Sequence, residues 1–179
     1  MKAIKTAVAA VTAAAALVAF SSAEAATATT NLSVTASVGG ACSIGAVGGG
    51  GTLNFGTYDP IIVNSALGVD LLGTGALSVQ CTLLGTAVIT LGQGLYPSAG
   101  STDAAPLRRM RNTASADYLA YRLHQDVTRL IVWGNTAGTG LPFLGTGMPV
   151  AVLVYGTVPR GQNVPSGTYN DTVVATITF

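Results

Sequence analysis

The sequence is short of most residue types that carry chemistry. Beyond residue 25 it has no lysine and no glutamate, and in all it holds one histidine, two cysteines and one tryptophan among 179 residues. Without lysine, a Gly-x-x-x-x-Gly-Lys phosphate loop is excluded despite the glycine run Gly48–Gly51. Lys–Asn isopeptide crosslinks are excluded for the same reason. His124, as the only histidine, leaves no ligand cluster for a structural zinc site, so no metal and no cofactor is expected. Gly-x-Ser-x-Gly is missing, so no nucleophile elbow is present. Counting alone leaves a spatial Ser-His-Asp arrangement open, with Ser115, Asp117 and Asp126 near His124 in sequence, but the sequence reads as non-enzymatic.

Charge is equally sparse. Met1 to Ala25 carries Lys2 and Lys5, then an apolar run from Ala7 to Phe20, then Ala23-Glu24-Ala25, the n-region, h-region and cleavage site of an export signal. The run is too short for a membrane-spanning helix. Removing it leaves 154 residues (179 minus 25), the size of one domain. Six arginines (Arg108, Arg109, Arg111, Arg122, Arg129, Arg160) then face six aspartates (Asp59, Asp70, Asp103, Asp117, Asp126, Asp171), a formal net charge of zero. A neutral surface gives no steering toward nucleic acid or anionic lipid and no repulsion against self-association. An exported chain meets an oxidising compartment, so Cys42 and Cys81 are expected to form a disulfide.

What remains is strand-like. Apolar residues come in short bursts separated by Gly, Pro, Asn and Ser, and no stretch beyond the leader sustains a helical period. The pattern predicts strands over Asn31 to Ile44, Thr52 to Gly56, Ala76 to Thr82, Thr86 to Gly92, Tyr118 to His124, Arg129 to Trp133, Val150 to Val158 and Thr168 to Phe179. Leu77, Val79 and Cys81 share one face, as do Leu119, Tyr121 and Leu123, with Arg122 and His124 opposite. Many short strands in this length indicate a β-sandwich. Arg108, Arg109 and Arg111 read as a solvated loop, with pairing to Asp103 and Asp117, an intersubunit salt bridge or an anionic surface as the alternatives, and Leu141 to Leu144 as an apolar loop covering one end of the sandwich.

The two ends carry the functional signal. The last predicted strand places Val173, Ala175, Ile177 and Phe179 inward and then stops at Phe179 without a polar tail. Near the other end, Asn31-Leu32-Ser33-Val34-Thr35-Ala36-Ser37-Val38 alternates apolar with small polar residues and is separated from Cys42 by Gly39-Gly40. This stretch is either the first strand of its own sandwich or a strand meant for another partner.

Several stretches resemble the spore coat protein U family and, within it, the major subunit of archaic chaperone-usher pili. They are Gly51 to Pro60 (GTLNFGTYDP), Leu77 to Cys81 (LSVQC), Arg111 to Asp117 (RNTASAD), Leu119-Ala120-Tyr121, Val132-Trp133-Gly134, Val154-Tyr155-Gly156 and Ser166 to Val173 (SGTYNDTV). The resemblance implies an all-β, incomplete immunoglobulin-like sandwich completed by a donor strand from a neighbouring subunit. It divides the chain into a signal peptide (1–25), an N-terminal donor extension (26–40) and a pilin domain (41–179). Leu32, Val34, Ala36 and Val38 would form the donor face, and Val173, Ala175, Ile177 and Phe179 the edge of the acceptor groove. Cys42 and Cys81 match the family's pair, which ties the first strand to the second.

Partners implied are like subunits, a periplasmic chaperone and an outer-membrane usher, with no nucleic acid and no metal. The product would be a fimbria at the cell surface serving adhesion and biofilm formation. The competing readings are a secreted coat or matrix protein of the same family, and a carbohydrate-binding module or tip adhesin, for which a second domain has no room.

Overall fold

The computed structural model describes residues 26–46 and 51–179; the expected leader and most of the glycine run lie outside the described residues. Nine strands form: β1 (Cys42–Ala46), β2 (Leu71–Cys81), β3 (Thr86–Leu91), β4 (Arg108–Asn112), β5 (Tyr118–His124), β6 (Leu141–Leu144), β7 (Val150–Val158), β8 (Tyr169–Asn170) and β9 (Ala175–Thr178). Among the described residues there is no helix, which bears out the all-β expectation. Val38–Phe179 is a compact unit of its own.

Two sheets face each other, and they are unequal. One has six strands in the order β1-β2-β7-β5-β4-β8, the other three in the order β6-β3-β9, and every pairing is antiparallel. Alternation explains the faces: Val79 and Cys81 of β2, Leu119, Tyr121 and Leu123 of β5, and Val152 and Val154 of β7 are buried, while Gln80 and Arg122 between them are exposed. Ile89 and Leu91 of β3 close the core from the other side. Fully buried Trp133 lies in that core, its indole N–H donating to the Ile89 carbonyl at 2.8 Å, so the largest apolar side chain is also polar-satisfied. A disulfide joins Cys42 to Cys81, which are directly opposite in the β1–β2 ladder.

Several sequence expectations are corrected. Thr52–Gly56 is not a strand, because it lies flat over a row of glycines instead of entering a ladder. A Cβ on Gly73 would sit 2.9 Å from both Leu53 and Phe55, one on Gly75 3.1 Å from Leu53, and one on Gly156 2.6 Å from the Phe55 ring. Those three positions must be glycine for the segment to approach.

Asn31–Val38 pairs with no strand; alternation alone supplies no ladder partner. Arg129–Trp133 contributes a single bridge, His124 to Val132, because the Asp126 carboxylate takes the Leu130 and Ile131 amides and Arg129 adopts φ 57°. The expected strand over Thr168–Phe179 is split: β8 pairs with β4 in the large sheet, and the chain then crosses to the small sheet as β9.

The arginine cluster and the apolar loop are also strands, β4 and β6. Arg108 is only 1% exposed, and Arg109 stacks on Tyr118 at 4.2 Å. Neither pattern was readable as strand, one being too charged and the other carrying Pro142; β6 tolerates that proline because it is a sheet edge.

Candidate functional site

The inequality of the sheets leaves part of the large one uncovered. β9 bonds to β3 along one edge, Leu91 opposite Ala175 through Val88 opposite Thr178, and is itself the edge of its sheet. Beside its other edge runs a cleft of about 210 Å³. Val173 and Ala175 form one wall and Thr52, Leu53 and Phe55 another, with Leu77, Tyr121, Leu123 and Val154 of the large sheet between them.

Polar ties fix the cleft's surroundings. Asp171 accepts the Tyr121 hydroxyl at 2.6 Å and the Leu95 and Thr172 amides at 2.8 Å each. Burial, reinforced by that bond to Asp171, raises the Tyr121 phenol above the usual tyrosine range. Arg108 donates through Nε to the Gly92 carbonyl (2.8 Å) and through Nη2 to the carbonyls of Leu91 (2.7 Å) and Trp133 (2.8 Å), while its Nη1 has no partner. Burial lowers the guanidinium to about 10, opposed by the nearby Tyr121 and Asp171.

The residues expected at the acceptor edge are placed as follows. Val173, Ala175 and Ile177 are half-buried against the core, and Val173 and Ala175 line the cleft. Phe179 is not inward as expected: it lies past the end of β9 and is 63% exposed, since its strand pairing has already ended. Leu32, Val34 and Val38 are 85%, 83% and 90% exposed, and Ala36 is exposed as well.

Leu53, Phe55, Tyr121, Asp171 and Arg108 were not among the expected site residues. For Leu53 and Phe55 the signal is the glycine register of β2 and β7, which becomes meaningful only once Gly73 is known to pair with Gly156.

No catalytic arrangement is assembled from the hydroxyl and carboxylates near His124. Ser115 donates to Asp117 at 2.6 Å, Asp126 is occupied by Thr128 and main-chain amides, and buried His124 keeps Nδ1 without a hydrogen-bond partner. Burial lowers the His124 pKa, so the ring favours its neutral form.

Comparison with known proteins gives the family. The chain is 84% identical over all 179 residues to Protein U of Myxococcus xanthus, covering 100% of both chains. Among solved structures it is similar to the CsuC–CsuE chaperone–tip adhesion subunit pre-assembly complex of the archaic chaperone-usher Csu pili of Acinetobacter baumannii. That match has 19% identity and a TM-score of 0.48 over 78% of this chain, and the chain spans 40% of the matched one. The family described as Spore Coat Protein U domain matches residues 28–176, and the chain belongs to that family.

Proposed function

We propose that the protein is a non-enzymatic structural subunit that polymerises by donating residues 32–38 of one copy to the cleft beside β9 of the next. The unpaired edge of β9 beside a cleft whose walls include Leu53, Phe55, Leu77 and Val173 carries this reading. A strand laid there satisfies its own main-chain groups and those of β9 while alternate side chains enter the cleft, which is β-augmentation carried to completion. Leu32, Val34 and Val38 contribute roughly 1.5 to 3 kcal/mol each on full burial and Ala36 less, so apolar burial alone reaches about 5 to 8 kcal/mol. A head-to-tail contact of this kind does not close and yields a fibre.

On this reading 1–25 directs export and is removed, 26–40 is the donor extension, and a periplasmic chaperone and an outer-membrane usher hold and secrete the unfinished subunit. The product is a surface pilus serving adhesion and biofilm formation. A second reading, a secreted spore-coat or surface-matrix structural protein, is favoured by the family's description and by the 84% identical Protein U.

Val34→Asp in the full chain tests donation itself, because a charge in the cleft lacks a partner. Polymers should vanish while the subunit still folds; wild-type polymers from this variant refute the proposal. Immunogold microscopy of vegetative cells and spores then separates the readings, the first requiring thin fibres on cells and the second a continuous layer on spores.

A further inference from the structure

Two surfaces of exposed aliphatic side chains lie at opposite ends of β2, the first flanked by Asp59, Asp70 and Arg160. At the Leu71 end, the loop 60–69 holds Ile61, Ile62 and Leu67 at 76%, 75% and 99% exposure. The loop is braced from within. Asp59 accepts the Ile61 and Ile62 amides, buried Asn64 donates to the Val69 carbonyl at 2.8 Å, and the Val69 amide donates to the Val63 carbonyl at 3.0 Å. A frame closed by its own hydrogen bonds therefore presents branched aliphatic side chains to water, an arrangement that marks contact surfaces.

At the Cys81 end, the turn to β3 exposes Leu83 and Leu84 at 69% and 71%, and the neighbouring β6–β7 loop exposes Met148 at 70%. Leu84 has φ 61°, a conformation strained for leucine and natural for glycine, yet the position carries a large apolar side chain. Its amide donates to the Gly145 carbonyl at 2.8 Å, and the Gly145 amide donates to Gly85 at 2.7 Å, which binds the two loops together.

These surfaces cannot meet within one molecule. β2 has 11 residues, about 35 Å of strand, between them. Between copies they can meet head to tail. The Ala41 carbonyl accepts the Thr82 amide at 2.9 Å, so the extension leaves each domain beside Leu83. The cleft wall at Thr52–Phe55 runs on into loop 60–69 at the other end, where β9 begins. Every ladder in the sandwich is antiparallel, and a strand entering antiparallel to β9 leaves the cleft at that end.

With Val38 in the cleft of one copy, Ala41 of the donor follows three residues later, at most about 11 Å away. Resting on the donor-strand reading, we infer that Ile61, Ile62 and Leu67 of one copy pack against Leu83, Leu84 and Met148 of the next. This second contact, beside the donated strand, stiffens the polymer at each junction.

The test uses full-length polymer imaged by negative-stain microscopy, with persistence length as readout. Leu67→Asp, at a side chain with almost no contacts in its own domain, should leave the amount of polymer unchanged. It should cut persistence length to about half or less, since an unpaired carboxylate cannot be buried at the junction. Adding Leu83→Arg to the same chain places opposite charges at every junction and should restore stiffness, whereas Leu83→Asp should not. Wild-type stiffness in Leu67→Asp polymer, or equal stiffness for the Arg and Asp double variants, overturns the junction while leaving strand donation intact. Donation fails separately, if Val34→Asp polymerises normally.

Discussion

Completion of the cleft by a strand can be measured without a fibre. Deleting Ala26 to Ser37 leaves the compact unit Val38–Phe179 with its disulfide, its open cleft and no donor. A synthetic peptide spanning Asn31 to Gly40 then supplies the donor in trans. Leu32, Val34 and Val38 start 85%, 83% and 90% exposed, so nearly all of the roughly 5 to 8 kcal/mol of apolar burial is available on binding. Lost translational and rotational freedom takes back about 4 kcal/mol or more, so a free peptide binds far more weakly than the tethered strand.

At a peptide concentration about 100 times Kd, linkage stabilises the folded unit by about 2.7 kcal/mol. At roughly 2 to 4 °C per kcal/mol for a domain of this size, Tm should rise by about 5 to 10 °C. Differential scanning fluorimetry over a peptide titration reads this directly. The same peptide with Val34→Asp should have no effect, and a scrambled peptide controls for composition. An unchanged Tm at saturating wild-type peptide, or an equal rise with the Asp peptide, refutes the claim that alternate apolar side chains of this segment fill the cleft.

Three further outcomes follow from the structure. Arg108→Met removes the donor to three carbonyls at the heart of the fold and should destabilise the domain by about 3 to 5 kcal/mol, read by urea denaturation. Because the Tyr121 phenol is raised by burial and by Asp171, the folded state keeps a proton that the unfolded state loses near pH 10. Stability from this group is therefore complete below about pH 10 and declines as pH rises above it, and Tyr121→Phe should flatten that alkaline decline in a Tm-versus-pH series. Gly156→Ala puts a Cβ 2.6 Å from the Phe55 ring and should cost about 1 to 3 kcal/mol in thermal unfolding while weakening binding of the Asn31–Gly40 peptide.

The sequence made the large-sheet strands legible because their faces differ in polarity. Leu77, Val79 and Cys81, and Leu119, Tyr121 and Leu123, alternate with polar or exposed neighbours, and each set is found on the core side. β4 was not legible, because its period is masked by three arginines that each solve a different problem. Arg108 is buried against carbonyls, Arg109 stacks on Tyr118, and Arg111 lies over Tyr96 at 5.8 Å. The burial of Arg108 and the stacking of the other two are decided by tertiary partners, not by local pattern.

The split of Thr168–Phe179 was hidden for a similar reason. Apolar residues recur at every second position from Val173 to Phe179, but Asp171 in the same phase is held by Tyr121 and Leu95, and that fixed point divides the stretch between two sheets. Of the candidate site, the β9 face was readable, but the opposite wall was not. The role of Leu53 and Phe55 depends on glycines 73, 75 and 156, whose clustering exists only after the β2–β7 register is set.

An unfilled cleft would gain by closing over its apolar side chains, since collapse removes Leu53, Leu77 and Val173 from water. What opposes collapse is the polar framework around it. Moving β9 toward the Thr52–Phe55 wall would drag Asp171 off the Tyr121 hydroxyl and the Leu95 amide. Shifting β3 with it would pull the Leu91 and Gly92 carbonyls away from Arg108, leaving a buried guanidinium under-satisfied. Each loss costs about 1 to 3 kcal/mol, comparable to the gain from covering one or two aliphatic side chains. The balance holds the walls apart, so a strand arriving from another copy meets a groove already shaped and spends little of its burial energy on opening it.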